Sequence, residues 1–227
     1  MNNLEWQARV DTAALYRLIA LEGWDDLIGT HVSARIPGDE HRFLLNPYGM
    51  LFEEITASNL LTVDLDGNQL TTSDYAFNRA GFTIHSAVHM NRDDAMFVIH
   101  LHTDYGIAVS CQEDGLKPLN QTAIAVYSDL AYHDYEGVAT NLAERERLVE
   151  DLGAKNAMIL RNHGTMACGP NAGGAWQAIF RLERACRYQI LAESGSATTR
   201  SLSVDIIDSR ASVTSTDALE TRGNFIW

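Results

Sequence analysis

The sequence predicts a mixed α/β protein, and three features carry that prediction. Ala95-Met96-Phe97-Val98-Ile99 is an unbroken apolar run of strand length, the pattern of a strand buried on both faces. Leu4 to Leu21, and again Ala175 to about Glu193, space their apolar residues at helical intervals. Short hydrophobic stretches separated by turn residues fill much of the first third of the chain. With 227 residues, 46% hydrophobic and 21% charged, there is material for a full core. No linker or repeat divides the chain, so one domain spanning 1–227 is expected.

The first helix sets Val10, Ala14, Leu18 and Leu21 along one stripe and stops at Gly23. Val32 to Ile36 and Arg42 to Leu45 form a hairpin, because Pro37-Gly38-Asp39-Glu40 between them is a turn sequence. Leu60 to Leu65 is a third strand, closed by Asp66-Gly67 before Gln69-Leu70 returns. From Asp74 to Met90 the period becomes helical, with Ala80, Ile84, Ala87 and Val88 on one face and Ser73 or Asp74 as the N-cap. After the central strand, Asp104 to Cys111 reads as a helix and Thr122 to Val126 as a strand, with a connector containing Pro118 between them. Tyr127 to Gly137 is too rich in hydroxyls and carboxylates for a core segment and reads as a loop, either lining a site or exposed. Leu142 to Leu152 is a helix ended by Gly153, and Ala157 to Leu160 is a strand. The long helix that follows buries Trp176, Ile179 or Phe180, Cys186 and Ile190 on one side. Beyond the break at Ser194 to Ala197, Val204-Asp205-Ile206-Ile207 has strand composition, Ser209 to Thr221 is polar, and Phe225-Ile226-Trp227 carries two aromatics. Residues 195–227 are read as a C-terminal extension packed against a neighbouring subunit, the other reading being a mobile tail.

Charge excludes some functions. Thirty acidic against 17 basic residues give a formal charge of −13, which repels phosphate backbones and anionic membrane surfaces, so nucleic acid and membrane are not expected partners. No apolar run approaches bilayer length, and Met1-Asn2-Asn3-Leu4-Glu5 lacks the basic and then apolar start of a secretory signal, so a cytoplasmic protein is expected. Cys111, Cys168 and Cys186 are odd in number and widely spaced, and each reads as a small buried hydrophobe; Cys168 also lies near His163.

The chemistry concentrates at the end of the central strand. His100 and His102 are two apart, so in a strand they project to one side, and two neutral imidazoles side by side make half of a transition-metal site. The best candidate for a third ligand ends the next such run, Met158-Ile159-Leu160-Arg161-Asn162-His163-Gly164, where Gly164 allows a sharp turn that aims His163 at the other two. An H-x-H pair can also be two hydrogen-bonded histidines and nothing more. His85 and His89 are four apart on the predicted helix, but Ser86 stands where the zinc proteases carry glutamate, so both are read as locally hydrogen-bonded.

Three stretches, Asn78-Arg79-Ala80-Gly81-Phe82-Thr83-Ile84-His85-Ser86, Val98-Ile99-His100-Leu101-His102-Thr103 and Leu160-Arg161-Asn162-His163-Gly164, resemble the class II aldolase/adducin family in type and order, and the resemblance runs from about Trp6 to Glu193. Ala131-Tyr132-His133-Asp134-Tyr135-Glu136-Gly137 is similar to a phrase of the adducin-type branch. The resemblance implies a three-layer α/β/α sandwich with a mostly antiparallel central sheet, usually assembled as a cyclic homotetramer with sites near subunit interfaces. It also implies a divalent metal on His100, His102 and His163, most commonly zinc, with manganese or cobalt as alternatives. Such a metal would grip a hydroxyl and an adjacent carbonyl oxygen and stabilise the enediolate left when a carbon–carbon bond breaks.

Departures from the family pattern shape the functional expectation. Gly81 stands where the aldolases carry the acid/base glutamate, and glycine cannot transfer a proton. Gln121 falls near the place of a tyrosine that donates a proton from a neighbouring subunit. His31 replaces an asparagine of the phosphate pocket, and Arg79 and Ala80 replace its serines. A sugar-phosphate aldolase is therefore not expected. His31, Asn46, Tyr48 and Gly49 border the pocket by correspondence with the family, and Gln121 joins them as a substrate-binding candidate. His31, Tyr132 and His133 are the candidates for proton transfer. The expected function is a metal-dependent lyase, an aldehyde-lyase or carboxy-lyase, acting on a small hydroxy-carbonyl or carboxylate compound. The alternatives are a non-catalytic adducin-like module for oligomerisation or ligand binding, and an epimerase or isomerase.

Overall fold

The computed structural model describes residues 2–39, 41–138, 141–209 and 215–227. Asn2 accepts from the Glu5 amide at 2.8 Å and starts α1 (Asn3–Glu22); Gly23, at φ 67°, ends it in the left-handed region that favours glycine. The predicted hairpin follows as β1 (His31–Arg35) and β2 (Arg42–Leu45), antiparallel, with Ala34 opposite Leu44. Glu40 of the turn lies outside the described residues. A single 3-10 turn, Phe52–Glu54, leads to β3 (Leu61–Asp64), and Gly67 at φ 86° reverses the chain so that Gln69 bridges back to Val63.

The remaining elements are α2 (Arg79–Asn91), β4 (Phe97–Leu101), α3 (Asp104–Ser110), α4 (Gln121–Tyr127), β5 (Leu130–His133), α5 (Glu144–Leu152), β6 (Ala157–Leu160), β7 (Gly164–Gly169), α6 (Ala172–Glu193), α7 (Val204–Asp208) and α8 (Thr216–Ile226). The seven strands form one sheet in the order β3-β2-β1-β4-β7-β6-β5, antiparallel throughout except for the β5–β6 pair. Helices cover both faces, which is the three-layer α/β/α sandwich with a mostly antiparallel sheet that was expected.

Strand alternation divides the core. Val32, Ala34, Ile99, Leu101, Ile159 and Ala167 pack with α1, α3, α4 and α6, whereas Val98, Met158, Leu160 and Met166 pack with α2 and α5. β1 alternates in the same way. Its residues on the α2 side are His31, Ser33 and Arg35, three buried polar groups whose partners lie on α2. Cys168 and Cys186 are buried, as their packing role required, while Cys111 is exposed. Burial pushes the Cys168 thiol up to about 12, which keeps it protonated and unreactive.

Several expected elements differ. α2 begins at Arg79 and not at Asp74, because Asn78 is its cap and accepts from the Ala80 amide at 3.0 Å. Thr122 to Val126 is helical: the Asn120 carboxamide accepts from the Thr122 and Ala123 amides, and burial against α6 suits one helical face. The polar stretch after Tyr127 contains β5, an edge strand that polar residues tolerate because one of its sides has no neighbouring strand among the described residues. β7 was not expected at all. Val204 to Ile207 is a short helix, and most of the polar C-terminal stretch is α8, with residues 210–214 outside the described set. α8 lies against α6 of its own chain, with Leu219 fully buried and the Trp227 indole donating to Asp11 at 2.9 Å.

Candidate metal centre

β4 ends by delivering His100 and His102 to the edge of the α2 layer, and the β6–β7 turn delivers His163. The three offer nitrogen atoms that all lie within 4.8 Å of one another. The Nδ1 of His100 lies 2.9 Å from the carbonyl oxygen of Thr165, and the Nδ1 of His102 lies 3.0 Å from Asp26 Oδ2. Both acceptors lack hydrogens to offer, so each Nδ1 is the donor and each Nε2 is left with its lone pair. Those two Nε2 atoms are 3.0 Å apart. Facing lone pairs at that distance repel, and a cation between them turns repulsion into ligation; the donor set therefore fits a transition-type divalent ion.

The protonation states agree with this fit. Burial holds His100 well below the usual imidazole range, with His163, His31 and His102 adding to the effect. Burial, then His102 and His133, lowers His163 to about 4. Both are neutral at physiological pH, as ligands must be.

Gly164 does not make the turn. The left-handed residue is Asn162, at φ 56°, while a Cβ on Gly164 would stand 2.3 Å from the Leu101 carbonyl oxygen and 3.1 Å from His102 Cδ2. Glycine is needed there so that β7 can close on β4 beside His102. Glu183 of α6 supports the same region from below: it is buried and accepts from the hydroxyls of Thr103 and Thr165, the residue after His102 and the residue whose carbonyl holds His100. Burial pushes its carboxyl up to about 7.

His31 is buried opposite His100 in the β1–β4 pairing, with ring centroids 5.1 Å apart. Its Nδ1 lies 2.8 Å from His85 Nε2; His85 Nδ1 meets the Ser33 hydroxyl, which lies 2.7 Å from His89 Nε2. His85 and His89 are hydrogen-bonded, but to His31 and Ser33 of β1 and not locally as expected, and so they join a chain that reaches the metal cluster. Burial lowers all three imidazoles, His89 to about 3. A Cβ on Gly81 would fall 2.5 Å from His31 Cδ2 and 2.6 Å from its Nε2, so the imidazole fills the space a side chain at 81 would need.

The other candidates sit differently. Tyr132 points to the α6 side of the sheet, away from the α2 side that carries His100; its hydroxyl accepts from the Leu116 amide at 3.0 Å, and Arg161 stacks on its ring. His133 faces the α2–α5 side but is tied to Asp151 at 2.7 Å and lies 3.5 Å from Glu144. Strand alternation turns Tyr132 away from the three histidines, whereas His133 lies near enough to lower the pKa of His163, with its Nδ1 held by Asp151. Asn46 is buried, 2.9 Å from the Tyr16 hydroxyl, near the end of the sheet that carries His31; Tyr48 and Gly49 follow it in an exposed turn. Gln121 is on the exposed side of α4, at a cavity that none of the histidines lines.

Sequence reasoning missed Asp26, the Thr165 carbonyl, Glu183 and Tyr135, whose ring centroid is 6.0 Å from that of His163. Glu183 alone left a signal, an acidic residue on the buried stripe of a long helix.

Comparison with known proteins agrees with this architecture. Residues 10–190 match the family model described as the class II aldolase and adducin N-terminal domain. A protein of Caulobacter vibrioides, provisionally named as an aldolase class 2 protein, is 60% identical over 86% of this chain and 76% of its own length. Mouse alpha-adducin is 40% identical over 82% of this chain, which spans only 26% of that longer protein. The solved structure of an L-fuculose 1-phosphate aldolase from Glaciozyma antarctica superimposes with a TM-score of 0.86 at 26% identity, covering 98% of this chain and 87% of its own.

Proposed function

The chain belongs to the class II aldolase and adducin family, and from that membership we propose that it is a metal-dependent lyase acting on a small hydroxy-carbonyl or carboxylate compound by aldol cleavage or decarboxylation. The observation that carries the reading is the opposed pair of His100 Nε2 and His102 Nε2, the nitrogens left facing each other when each Nδ1 donates to the acceptor behind it. His163 supplies a third neutral nitrogen. Such a set suits zinc, with manganese and cobalt as alternatives. A divalent ion held there supplies Lewis acidity, stabilising the negative charge that develops when a bond to an oxygen-bearing carbon breaks.

His31 is assigned the proton transfer that Gly81 cannot perform. In the chain His31–His85–Ser33–His89 every member can donate once and accept once, so the hydrogen bonds can run in either direction. Run towards His89, they leave His31 Nε2 an acceptor; run the other way, they place a proton on that atom. A proton taken up at His31 Nε2 and relayed along the chain leaves one ring cationic, because His89 Nδ1 at the far end is buried without a hydrogen-bond partner among the described residues to receive it. Burial opposes that charge, so the proton is handed back within the same turnover. Asn46, Tyr48 and Gly49 are read as substrate-pocket residues at the same end of the sheet, with Gln121 contributing from another copy in a homotetramer. No helix among the described residues is long and apolar enough to cross a membrane, and a net charge of −13 disfavours nucleic acid; a cytoplasmic setting completes the reading.

Elemental analysis of the purified protein beside His102→Ala, with the oligomeric mass recorded in the same run, tests the centre. One divalent ion per wild-type chain, lost in the variant, is expected, followed by turnover of a member of a hydroxy-acid and keto-acid panel. A folded, zinc-reloaded wild type without metal would overturn the reading. Product formed without carbon–carbon cleavage would identify an epimerase or isomerase instead. The second reading, a non-catalytic adducin-like module, draws support from Gly81 and from the 40% identity to alpha-adducin; stoichiometric recovery of a protein partner, with no turnover, would favour it.

A further inference from the structure

A second chemical feature lies away from the histidines, between α4, α6 and α8. A cavity of about 530 Å³ there is lined by Arg181, Arg184 and Arg222 and by no acidic residue, in a chain whose formal charge is −13. Arg181 is half-buried and makes no ion pair or hydrogen bond among the described residues; its Nη1 is wholly buried and unpartnered. One turn earlier on α6, Gln177 is buried and its Oε1 also lacks a partner. Rotating that carboxamide would turn its two N–H donors to where the oxygen now points.

An uncompensated cation is costly to bury, and burial and the neighbouring Arg222 both act against the charge of Arg181. The fold nevertheless brings the guanidiniums together, which is the arrangement of a site that awaits an anion. The walls specify more than charge. Trp176 and Phe180 meet at a tilt with ring centroids 5.8 Å apart, and Arg184 lies over both Phe180 and Tyr188, held by the Tyr188 hydroxyl at 2.6 Å. Flat apolar surfaces beside guanidiniums suit a ligand with a charged head and a planar or apolar body.

We propose that this cavity binds a small organic anion, whose carboxylate or phosphate pairs with Arg181 and whose body lies against Trp176 and Phe180. The site is separate from the histidine cluster of its own chain, since none of those histidines lines it, and it does not depend on a metal there.

Titration calorimetry of the full chain tests it, with phenyl phosphate, benzoate and inorganic phosphate as probes and benzyl alcohol as the uncharged control. Saturable binding of phenyl phosphate or benzoate is expected, weakened about tenfold or more in Arg181→Gln. Arg181→Lys should bind between the two, and the exposed Arg200→Gln should bind as wild type does. The tighter of the two aromatic anions identifies the head group. Treatment with a chelator should leave the affinity unchanged, which separates this site from the fate of the metal centre. Absence of saturable binding, or undiminished binding in a folded Arg181→Gln, would overturn the proposal. So would binding that appears only on dilution to monomer, because the arginines would then be serving an acidic side chain of a second copy.

Discussion

The imidazole of His31 occupies the space above Gly81: a Cβ built on Gly81 stands 2.5 Å from His31 Cδ2. A side chain at position 81 and the ring at position 31 therefore compete for the same space.

That coupling predicts a change of sign. Gly81→Ala alone should destabilise by about 1–3 kcal/mol through overpacking against a buried ring. In a His31→Ala background the clash is gone, and the same substitution should stabilise by up to about 1 kcal/mol, because alanine outranks glycine in a helix. Denaturant unfolding of the four proteins of this cycle gives both values. Additive effects would show that the two residues do not meet.

Asp26 fixes the tautomer of His102 from a half-exposed position. Asp26→Asn should weaken zinc affinity roughly 10–100-fold with little loss of fold stability, the usual consequence of removing a carboxylate behind a ligating histidine. Competition with a chromogenic chelator measures the affinity, and thermal unfolding of the metal-free protein measures the fold. Unchanged zinc affinity would leave the carboxylate as a surface contact only.

Stability should fall as pH drops below about 6.5. The imidazoles of His31, His85, His89 and His100 have folded pKa values below the ordinary 6.5, so the unfolded chain takes up protons first and gains from acid. Glu183 opposes this trend. Its carboxyl is raised from 4.5 to about 7, so its contribution is full below pH 4.5 and is lost as pH rises to about 7. Glu183→Gln should accordingly steepen the acid limb of the curve of melting temperature against pH, whereas His89→Gln should flatten it.

The parts legible in the chain were those whose signal is local. Alternation at His100 and His102 placed both imidazoles on one side, and the capped helical stripe before Gly23 marked α1 to within a residue at each end. Short apolar runs carried no such signal. Thr122 to Val126 and Val204 to Ile207 have strand-like composition but fold as helices, the first because Asn120 caps it and α6 covers it.

By itself the sequence determined the three histidines, their spacing and the helix and strand periods around them. Only tertiary structure decided what surrounds them. Asp26 and the Thr165 carbonyl aim the imidazoles from loops and strands remote in the chain, and Tyr132 is turned from the site by the pleat of β5. Packing of β1 against α2 converts His31, Ser33, His85 and His89 into one buried hydrogen-bonded chain. The physical reason is range: backbone period and turn chemistry act over a few residues, whereas lone-pair direction and desolvation depend on groups that meet only when the sheet closes.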